Sequence, residues 1–294
     1  MERGFGRLLT AMVTPFKANG QVDYAKAGDL AEYLVNNGSE GLVVTGTTGE
    51  SPTLTEEEKL TLYRVVKERV GFRARVIAGT GSNCTGASVD LSMKAAEAGA
   101  DGIMLVAPYY NKPSQEGLAA HFWTVAEAVP ELPVMLYNVP SRTGVNLELD
   151  TIFELARRPN IVALKEAGGQ LNQVAGVAAG IKDLSLYSGN DDETLAILAL
   201  GGTGVVSVCS HVAGPEIAKM IDLFFAGRVG EAYAHHRKLL PLFKGLFMAT
   251  NPLPVKAALK MLGHDTGGHR LPLTALEPGL RASLRKILED LDLL

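Results

Sequence analysis

The stretch IVALK at positions 161–165 is a short apolar run that ends in one charged residue and precedes a longer amphipathic segment. Runs of about four to eight residues rich in β-branched side chains are typical of strands. The same strand-then-helix unit occurs eight times over the first three quarters of the chain. The other seven candidate strands are Leu8–Thr14, Gly41–Thr45, Arg75–Thr80, Gly102–Ala107, Val134–Asn138, Leu184–Ser188 and Gly204–Val208.

Eight strand-helix units with short connections favour an α/β fold of the (β/α)8 TIM-barrel type, because an open doubly wound sheet usually stops at about five or six strands. Helix starts support the alternation: Thr55 with Glu58 forms a capping-box pattern, and Asn190 with Glu193 resembles one. From about residue 213 the pattern is helical, without intervening strands. We therefore predict a barrel over residues 1–225 and a C-terminal helical extension over 226–294, packed on the barrel.

Composition narrows the class of protein. The 294 residues are 47% hydrophobic and 20% charged, which supplies a large core and argues against disorder. The net charge is −4, without long runs of either sign, so the sequence does not indicate a basic surface for nucleic acid or an anionic membrane. Small molecules are therefore the expected partners. Cys84 and Cys209 lie too far apart for a disulfide scaffold, and no segment approaches the roughly 18 apolar residues of a membrane helix. We expect a cytoplasmic protein.

Polar residues follow several of the candidate strands. In a (β/α)8 barrel the active site forms at the carboxyl ends of the strands, so these residues are expected to meet at one rim. The segments at the ends of strands two, four, five, six and seven are Gly46–Glu50, Pro108–Asn111, Tyr137–Gly144, Lys165–Glu166 and Ser188–Asp191.

Lys165 is the strongest catalytic candidate. The period of two along a strand puts it on the face opposite Val162 and Leu164, and these two apolar residues are better suited to pack under the helices than an ammonium group is. An amine on the inner, apolar face is favoured in its neutral form, which attacks carbonyl carbons. The pattern therefore indicates Schiff-base chemistry. A lysine at the rim, paired with Glu50 or Glu166, fits the spacing equally well.

Three further features could bind or activate a substrate. Tyr137 ends strand five beside Lys165 and could transfer protons, although a half-buried structural tyrosine is the alternative. Thr47 and Thr48 lie in a glycine-flanked turn whose backbone N–H groups could hold a carboxylate, or which only links a strand to a helix. Arg142 could bind a second carboxylate bidentately, or be an ordinary surface arginine.

Three other features have structural explanations. Gly201–Gly204 resembles a phosphate-binding turn but precedes strand eight, at the wrong end of the barrel. The acids Asp191–Glu193 fit the first turn of a helix, where the helix dipole favours negative charge. The histidines at 235, 236, 264 and 269 fall in the extension, away from the rim, without the spacing of zinc ligands. We expect no metal site.

Four motifs together resemble the dihydrodipicolinate synthase family, within the pyruvate-dependent class I aldolases that include N-acetylneuraminate lyase. The resemblance spans nearly the whole chain. Arg142 narrows it, because the related aldolases act on polyhydroxylated aldehydes and usually lack this arginine. The motifs are Gly46-Thr47-Thr48-Gly49-Glu50, Tyr109-Tyr110-Asn111-Lys112-Pro113, Tyr137-Asn138-Val139-Pro140-Ser141-Arg142-Thr143-Gly144 and Lys165-Glu166.

The resemblance implies an enzyme that condenses pyruvate with L-aspartate 4-semialdehyde in the diaminopimelate route to lysine, without a cofactor. It implies that Lys165 forms an imine with pyruvate and that Tyr137, Thr47 and Tyr110 form a proton relay, with Tyr110 supplied by a neighbouring subunit. The implied assembly is a homotetramer built from two tight dimers. The implied substrate-binding residues are Thr48, Arg142, Gly189 and Val206, of which Gly189 and Val206 line the pyruvate site through main-chain groups.

Two alternatives stay open: a related aldolase for another aldehyde or 2-keto-3-deoxy acid, and a non-catalytic metabolite-binding barrel. Regulation is a separate expectation. Lysine-inhibited members of the family bind the inhibitor near the Tyr109 position, with a glutamate and a histidine or tryptophan, where this chain has Ala87 and Lys59. A like charge opposes a cationic ligand, although Glu56 could offset it in part. We expect an enzyme that is insensitive to millimolar L-lysine.

Overall fold

A computed structural model describes residues 4–294. Within that range eight parallel strands close into a barrel in chain order. Because β1 pairs with both β2 and β8, the sheet has no free edge. The (β/α)8 prediction is confirmed. The strands are β1 (Leu8–Ala11), β2 (Gly41–Val44), β3 (Arg75–Gly79), β4 (Gly102–Val106), β5 (Val134–Asn138), β6 (Ile161–Glu166), β7 (Ser185–Ser188) and β8 (Gly204–Ser207).

Helices follow the strands, with one short additional helix, α5, between β5 and α6. The capping box at the start of α2 forms as predicted, with the Thr55 and Glu58 side chains each accepting from the other's backbone N–H. The barrel-side helices are α1 (Tyr24–Asn36), α2 (Glu56–Val70), α3 (Thr85–Glu97), α4 (Gln115–Ala128), α5 (Pro140–Thr143), α6 (Leu149–Leu155), α7 (Leu171–Gly180), α8 (Thr194–Ala199) and α9 (Ser210–Phe225).

The capping prediction for Asn190 is wrong. The chain enters α8 through a 3₁₀ turn at Asp191–Glu193, so the Asn190 side chain finds no helical N–H to accept from. It instead donates from Nδ2 to Glu193 Oε2 at 2.9 Å.

The C-terminal part is helical, as predicted. It consists of α10 (Val229–Gly245), α11 (Leu253–Met261) and α12 (Pro278–Asp290). The α10 helix packs on α9, and α12 packs on α10 and α11. Leu242 of α10 and Leu284 and Leu288 of α12 are buried in the same apolar cluster as the barrel strands. Within residues 4–294 no helix is long and apolar enough to cross a bilayer.

The register of β6 against its neighbours positions the rim. Tyr137 of β5 lies opposite Lys165, and Asn138 lies opposite Glu166. On the other side of β6, Lys165 is paired with Tyr187 of β7. Because these pairs stand at the carboxyl ends of the strands, Tyr137 and Lys165 are neighbours at the end of the barrel where such folds bind substrates.

Candidate active site

Lys165 is buried at the end of β6, with 5% of its surface exposed. Its Nζ lies 4.1 Å from the centroid of the Tyr137 ring. This contact places the end of the Lys165 side chain against β5. Tyr137 and Lys165, predicted from the sequence to lie side by side, are therefore in contact.

Neither carboxylate that could have paired with Lys165 does so. Glu50 Oε1 lies 2.8 Å from Lys256 Nζ, and Glu166 accepts from the amide of Asn138. Across residues 4–294, the ion pairs include none that involves Lys165. Among the described residues, the Lys165 amine thus has no carboxylate partner.

Gly189, just after β7, leaves room for the Lys165 side chain. A Cβ at this position would lie 3.1 Å from Lys165 Cε and 2.6 Å from the Cβ of Ala167. The Gly189 N–H donates to the Glu166 carbonyl at 2.7 Å, which leaves the Gly189 carbonyl as the main-chain group that could contact a substrate. Val206, the other residue predicted to bind through its backbone, is fully buried in β8.

The turn after β2 presents free backbone donors. Within the described part of the chain, the N–H groups of Thr47 and Thr48 have no backbone acceptor. The hydroxyl of Thr48 accepts from Asn251 Nδ2 at 2.9 Å, so its own hydrogen can be donated elsewhere. The flanking residues Thr45 and Glu50 have left-handed backbone angles, with φ of 56° and 57°. Two such residues fix a sharp turn, and a turn with free N–H groups has the donors that anion binding requires.

The extension reaches this turn, which corrects the prediction that its histidines lie away from the rim. His269 Nδ1 lies 3.4 Å from Glu50 Oε1, and the Arg270 N–H donates to Glu50 Oε2 at 3.2 Å. The segment after α11 returns to the barrel, and no local sequence pattern predicts that path. Burial tends to raise the pKa of Glu50, but the hydrogen bond from His269 and the charge of Lys256 hold it below its ordinary value.

Asp191 also has a different partner from the predicted one. It is fully buried, and its carboxylate accepts from the backbone N–H groups of Val208 and Cys209 at 3.0 and 3.1 Å and from the hydroxyl of Ser207. These donors lie at the start of α9, so Asp191 serves the helix after β8 rather than its own. Burial raises the pKa of Asp191, and the hydrogen bond from Ser207 opposes the shift.

A cleft of about 720 Å³ opens among the loops that follow β2 to β5. Four of the predicted site residues line it: Thr47, Tyr110, Tyr137 and Arg142. The other four, Lys165, Thr48, Gly189 and Val206, are not part of the lining. Tyr137 connects the cleft to Lys165, since it lines the cleft and its ring contacts the lysine amine.

Tyr110 and Arg142 project from their loops. Tyr110 is 89% exposed and has a φ of 74°, a conformation that is uncommon for a bulky residue. Arg142 is exposed on the single turn of α5, which ends at Gly144 in the left-handed region. Both side chains are therefore available to a ligand or to another subunit.

The cleft contains more cationic side chains than Arg142, the one predicted from the sequence. Lys59 and Lys112 line it together with Arg142, and the described lining contains no aspartate or glutamate. Burial lowers the pKa of Lys59, and the nearby Glu56 opposes the shift. A cleft whose charged lining residues are all cations attracts carboxylates. Lys112 belongs to the Tyr109–Pro113 motif, and the fold brings its side chain over Gly144, two residues after Arg142.

Comparison with known proteins gives one consistent result. The model of the dihydrodipicolinate synthetase family matches residues 4–291. A 4-hydroxy-tetrahydrodipicolinate synthase from Thermosynechococcus vestitus is 53% identical over 291 residues, which cover 99% of this chain and 98% of that one. Another from Heliobacterium modesticaldum is 55% identical over 287 residues, covering 97% and 95%. The crystal structure of DHDPS from Cyanidioschyzon merolae with lysine bound is similar with a TM-score of 0.97 and 50% identity, covering 99% of both chains.

Proposed function

The chain belongs to the dihydrodipicolinate synthetase family, and on that premise we propose that it is a 4-hydroxy-tetrahydrodipicolinate synthase. It is a lyase of lysine biosynthesis that condenses pyruvate with L-aspartate 4-semialdehyde through a Schiff base. The observation that carries the proposal is the buried amine of Lys165 against the Tyr137 ring, at the catalytic end of a (β/α)8 barrel.

Lys165 is the nucleophile. Its amine attacks the keto carbon of pyruvate, and loss of water gives an imine. Loss of a methyl proton then gives an enamine, whose carbon attacks the aldehyde carbon of the semialdehyde. The amino group of the semialdehyde adds to the imine carbon, closes the ring and releases the Lys165 amine. The lysine nitrogen supplies the electron sink for carbon-carbon bond formation, so the reaction needs no cofactor.

Tyr137, Thr47 and Tyr110 carry the protons. Tyr137 contacts the Lys165 amine, and both Tyr137 and Thr47 line the cleft. Tyr110 points into solvent from its own chain, which suits a role in the site of an adjacent subunit. The assembly is a homotetramer of two tight dimers, in which the dimer completes each relay.

Two anion sites hold the substrates. The turn of Thr47 and Thr48, with its free N–H groups, binds the carboxylate of pyruvate, and the backbones of Gly189 and Val206 complete that side. Arg142, exposed in a cleft without acidic residues, binds the carboxylate of the semialdehyde.

The acceptor is tested by coupled turnover of pyruvate with L-aspartate 4-semialdehyde, N-acetylmannosamine and glyceraldehyde in parallel. The cationic cleft predicts turnover with the semialdehyde alone. Faster turnover with either uncharged acceptor would assign the chain to the related aldolases. Absence of any turnover, together with absence of a borohydride-trapped pyruvate adduct on Lys165, would indicate a non-catalytic barrel.

A further inference from the structure

Glu166 follows Lys165 at the end of β6 and is 2% exposed. In the described structure its carboxylate accepts only from uncharged donors: Asn138 Nδ2 at 2.9 and 3.1 Å, the Gly168 N–H at 2.6 Å and Gln173 Nε2 at 3.2 Å. Burial raises the pKa of Glu166, and the hydrogen bond from Asn138 opposes the shift. Burying a carboxylate without a cationic partner is costly. The hydrogen bonds that Glu166 accepts therefore point to a positioning role.

The donors that bind Glu166 also hold the end of the loop that carries Arg142. Asn138 Oδ1 accepts from the Leu147 N–H at 3.1 Å, and Asn138 Nδ2 donates to Asn146 Oδ1 at 2.8 Å. Gln173 Nε2 donates to the Leu147 carbonyl at 2.9 Å, and Gln173 Oε1 accepts from Asn146 Nδ2 at 2.9 Å. The start of the loop at Asn138 and its end at Asn146 and Leu147 are thus joined through side chains that converge on one carboxylate.

Arg142 depends on that closure for its position. Among residues 4–294 its guanidinium has no hydrogen-bond or ion-pair partner, so the backbone of the loop alone sets where it lies. A displacement of about 1 Å at a substrate-binding group is enough to weaken catalysis strongly.

We infer that Glu166 is a positioning residue that sets the place where Arg142 meets the second substrate. The inference rests on the proposed role of Arg142 in binding the carboxylate of the semialdehyde. Lys165 and Glu166 are consecutive on β6. The end of this strand therefore carries the residue that binds pyruvate, and through the loop it also positions Arg142, which binds the semialdehyde.

The chemistry of the site requires a carboxylate. Every hydrogen bond to Glu166 is donated by an N–H group, so an amide in its place would turn its own NH₂ toward a donor of Asn138, Gly168 or Gln173. Glu166→Gln keeps nearly the same volume, so it tests the hydrogen bonds rather than the packing.

The test compares Glu166→Gln, Arg142→Ala and the double variant in steady-state assays of pyruvate with L-aspartate 4-semialdehyde. We expect Glu166→Gln to raise the KM for the semialdehyde about tenfold or more, with the KM for pyruvate and the rate of borohydride trapping on Lys165 within about twofold of the wild type. The effects of Glu166→Gln and Arg142→Ala should not multiply in the double variant, because both act through one guanidinium.

Glu127→Gln is the matched control. Its exposed carboxylate on α4 pairs with Arg158 and, among the described residues, does not take part in the hydrogen bonds that join Glu166 to the Arg142 loop, so both KM values should stay at the wild-type level. If Glu166→Gln does not fold, Gln173→Ala removes one of the two arms between Glu166 and Leu147 and should raise the KM for the semialdehyde selectively.

Three results would overturn the inference. An unchanged KM for the semialdehyde in Glu166→Gln, or in a folded Gln173→Ala, would do so while leaving the role of Arg142 intact. An equal rise of the KM values for pyruvate and for the semialdehyde would show that Glu166 has a general structural role. An unchanged KM for the semialdehyde in Arg142→Ala would remove the premise, and it would count against the proposed substrate contact independently of Glu166.

Discussion

Lys256 Nζ lies 2.8 Å from Glu50 Oε1, in an ion pair that joins α11 of the C-terminal extension to the turn after β2. Both residues are buried. Burial lowers the pKa of Lys256, and the charge of Glu50 opposes that shift. Since Asn251 also donates to Thr48 in the same turn, the extension supports the proposed carboxylate-binding site as well as covering the barrel.

Lys256→Ala should be strongly destabilising. The substitution leaves the Glu50 carboxylate buried without its cation, and breaking a buried pair in this way costs about 3 to 5 kcal/mol. The measurement is the free energy of unfolding from urea titration followed by circular dichroism.

Lys260→Ala is the control for that substitution, because Lys260 is on the same helix and pairs with Asp265 at 2.9 Å at an exposed position. Removing an exposed pair should change the free energy of unfolding by less than about 1 kcal/mol. Equal losses in the two variants would mean that the Lys256–Glu50 pair is no more important than a surface contact.

The Glu50 pair also predicts acid sensitivity. The pKa of Glu50 in the folded protein lies below the ordinary value of 4.5, so the folded state binds the proton less readily than the unfolded chain does. Its contribution to stability is therefore fully present above about pH 4.5 and is lost as the pH falls through the lower, folded pKa.

Unfolding free energies measured from pH 7 to pH 3 should fall more steeply for the wild type than for Glu50→Gln at the acid end. The two curves should run parallel near neutral pH, where Glu50 is ionised in both states. Parallel curves over the whole range would show that Glu50 does not contribute to the acid transition.

Tyr110 gives a prediction about assembly. If it acts in an adjacent subunit, oligomers mixed from Tyr110→Phe and Lys165→Ala subunits contain some sites with both residues intact. These mixtures should recover activity that neither parent has, and the measurement is turnover after subunit exchange verified by native mass spectrometry. Verified exchange without recovery would place Tyr110 in the site of its own subunit or outside the relay.

The sequence predicted the fold and the contact between Tyr137 and Lys165 because both follow from local strand patterns. Most strands are short runs of mainly apolar residues, and Tyr137 and Lys165 lie near the ends of adjacent strands, so their contact follows from the barrel itself. The supports of the Thr48 turn were not predictable in the same way. Asn251 is 203 positions from Thr48, and Lys256 is 206 positions from Glu50.

Polar partners across a rim depend on the path of the whole chain. Asp191 illustrates this at shorter range: its position in the sequence suits its own helix, but burial leaves it facing the backbone donors of Val208 and Cys209. An aspartate can accept from the N–H groups at the start of either helix. The fold, and not the residue type, therefore decides which helix Asp191 binds.

The cleft also predicts how the enzyme responds to L-lysine. Lys59 lines the cleft beside Tyr109, where it would repel the cationic ligand. The acid that could offset it, Glu56, is already engaged by Lys94 on α3. Ala87, exposed on the first turn of the same helix, offers no counter-charge.

We therefore expect turnover to be unchanged by millimolar L-lysine. The double variant Lys59→His with Ala87→Glu removes the like charge and adds a carboxylate for the α-ammonium group, so inhibition should appear or shift to at least about tenfold lower L-lysine concentrations. D-lysine is the control, because a site that orients the α-ammonium and α-carboxylate groups distinguishes the two enantiomers. Sub-millimolar inhibition of the wild type that is lost in Glu56→Gln would contradict the expectation, since it would show that Glu56 leaves Lys94 to bind the ligand.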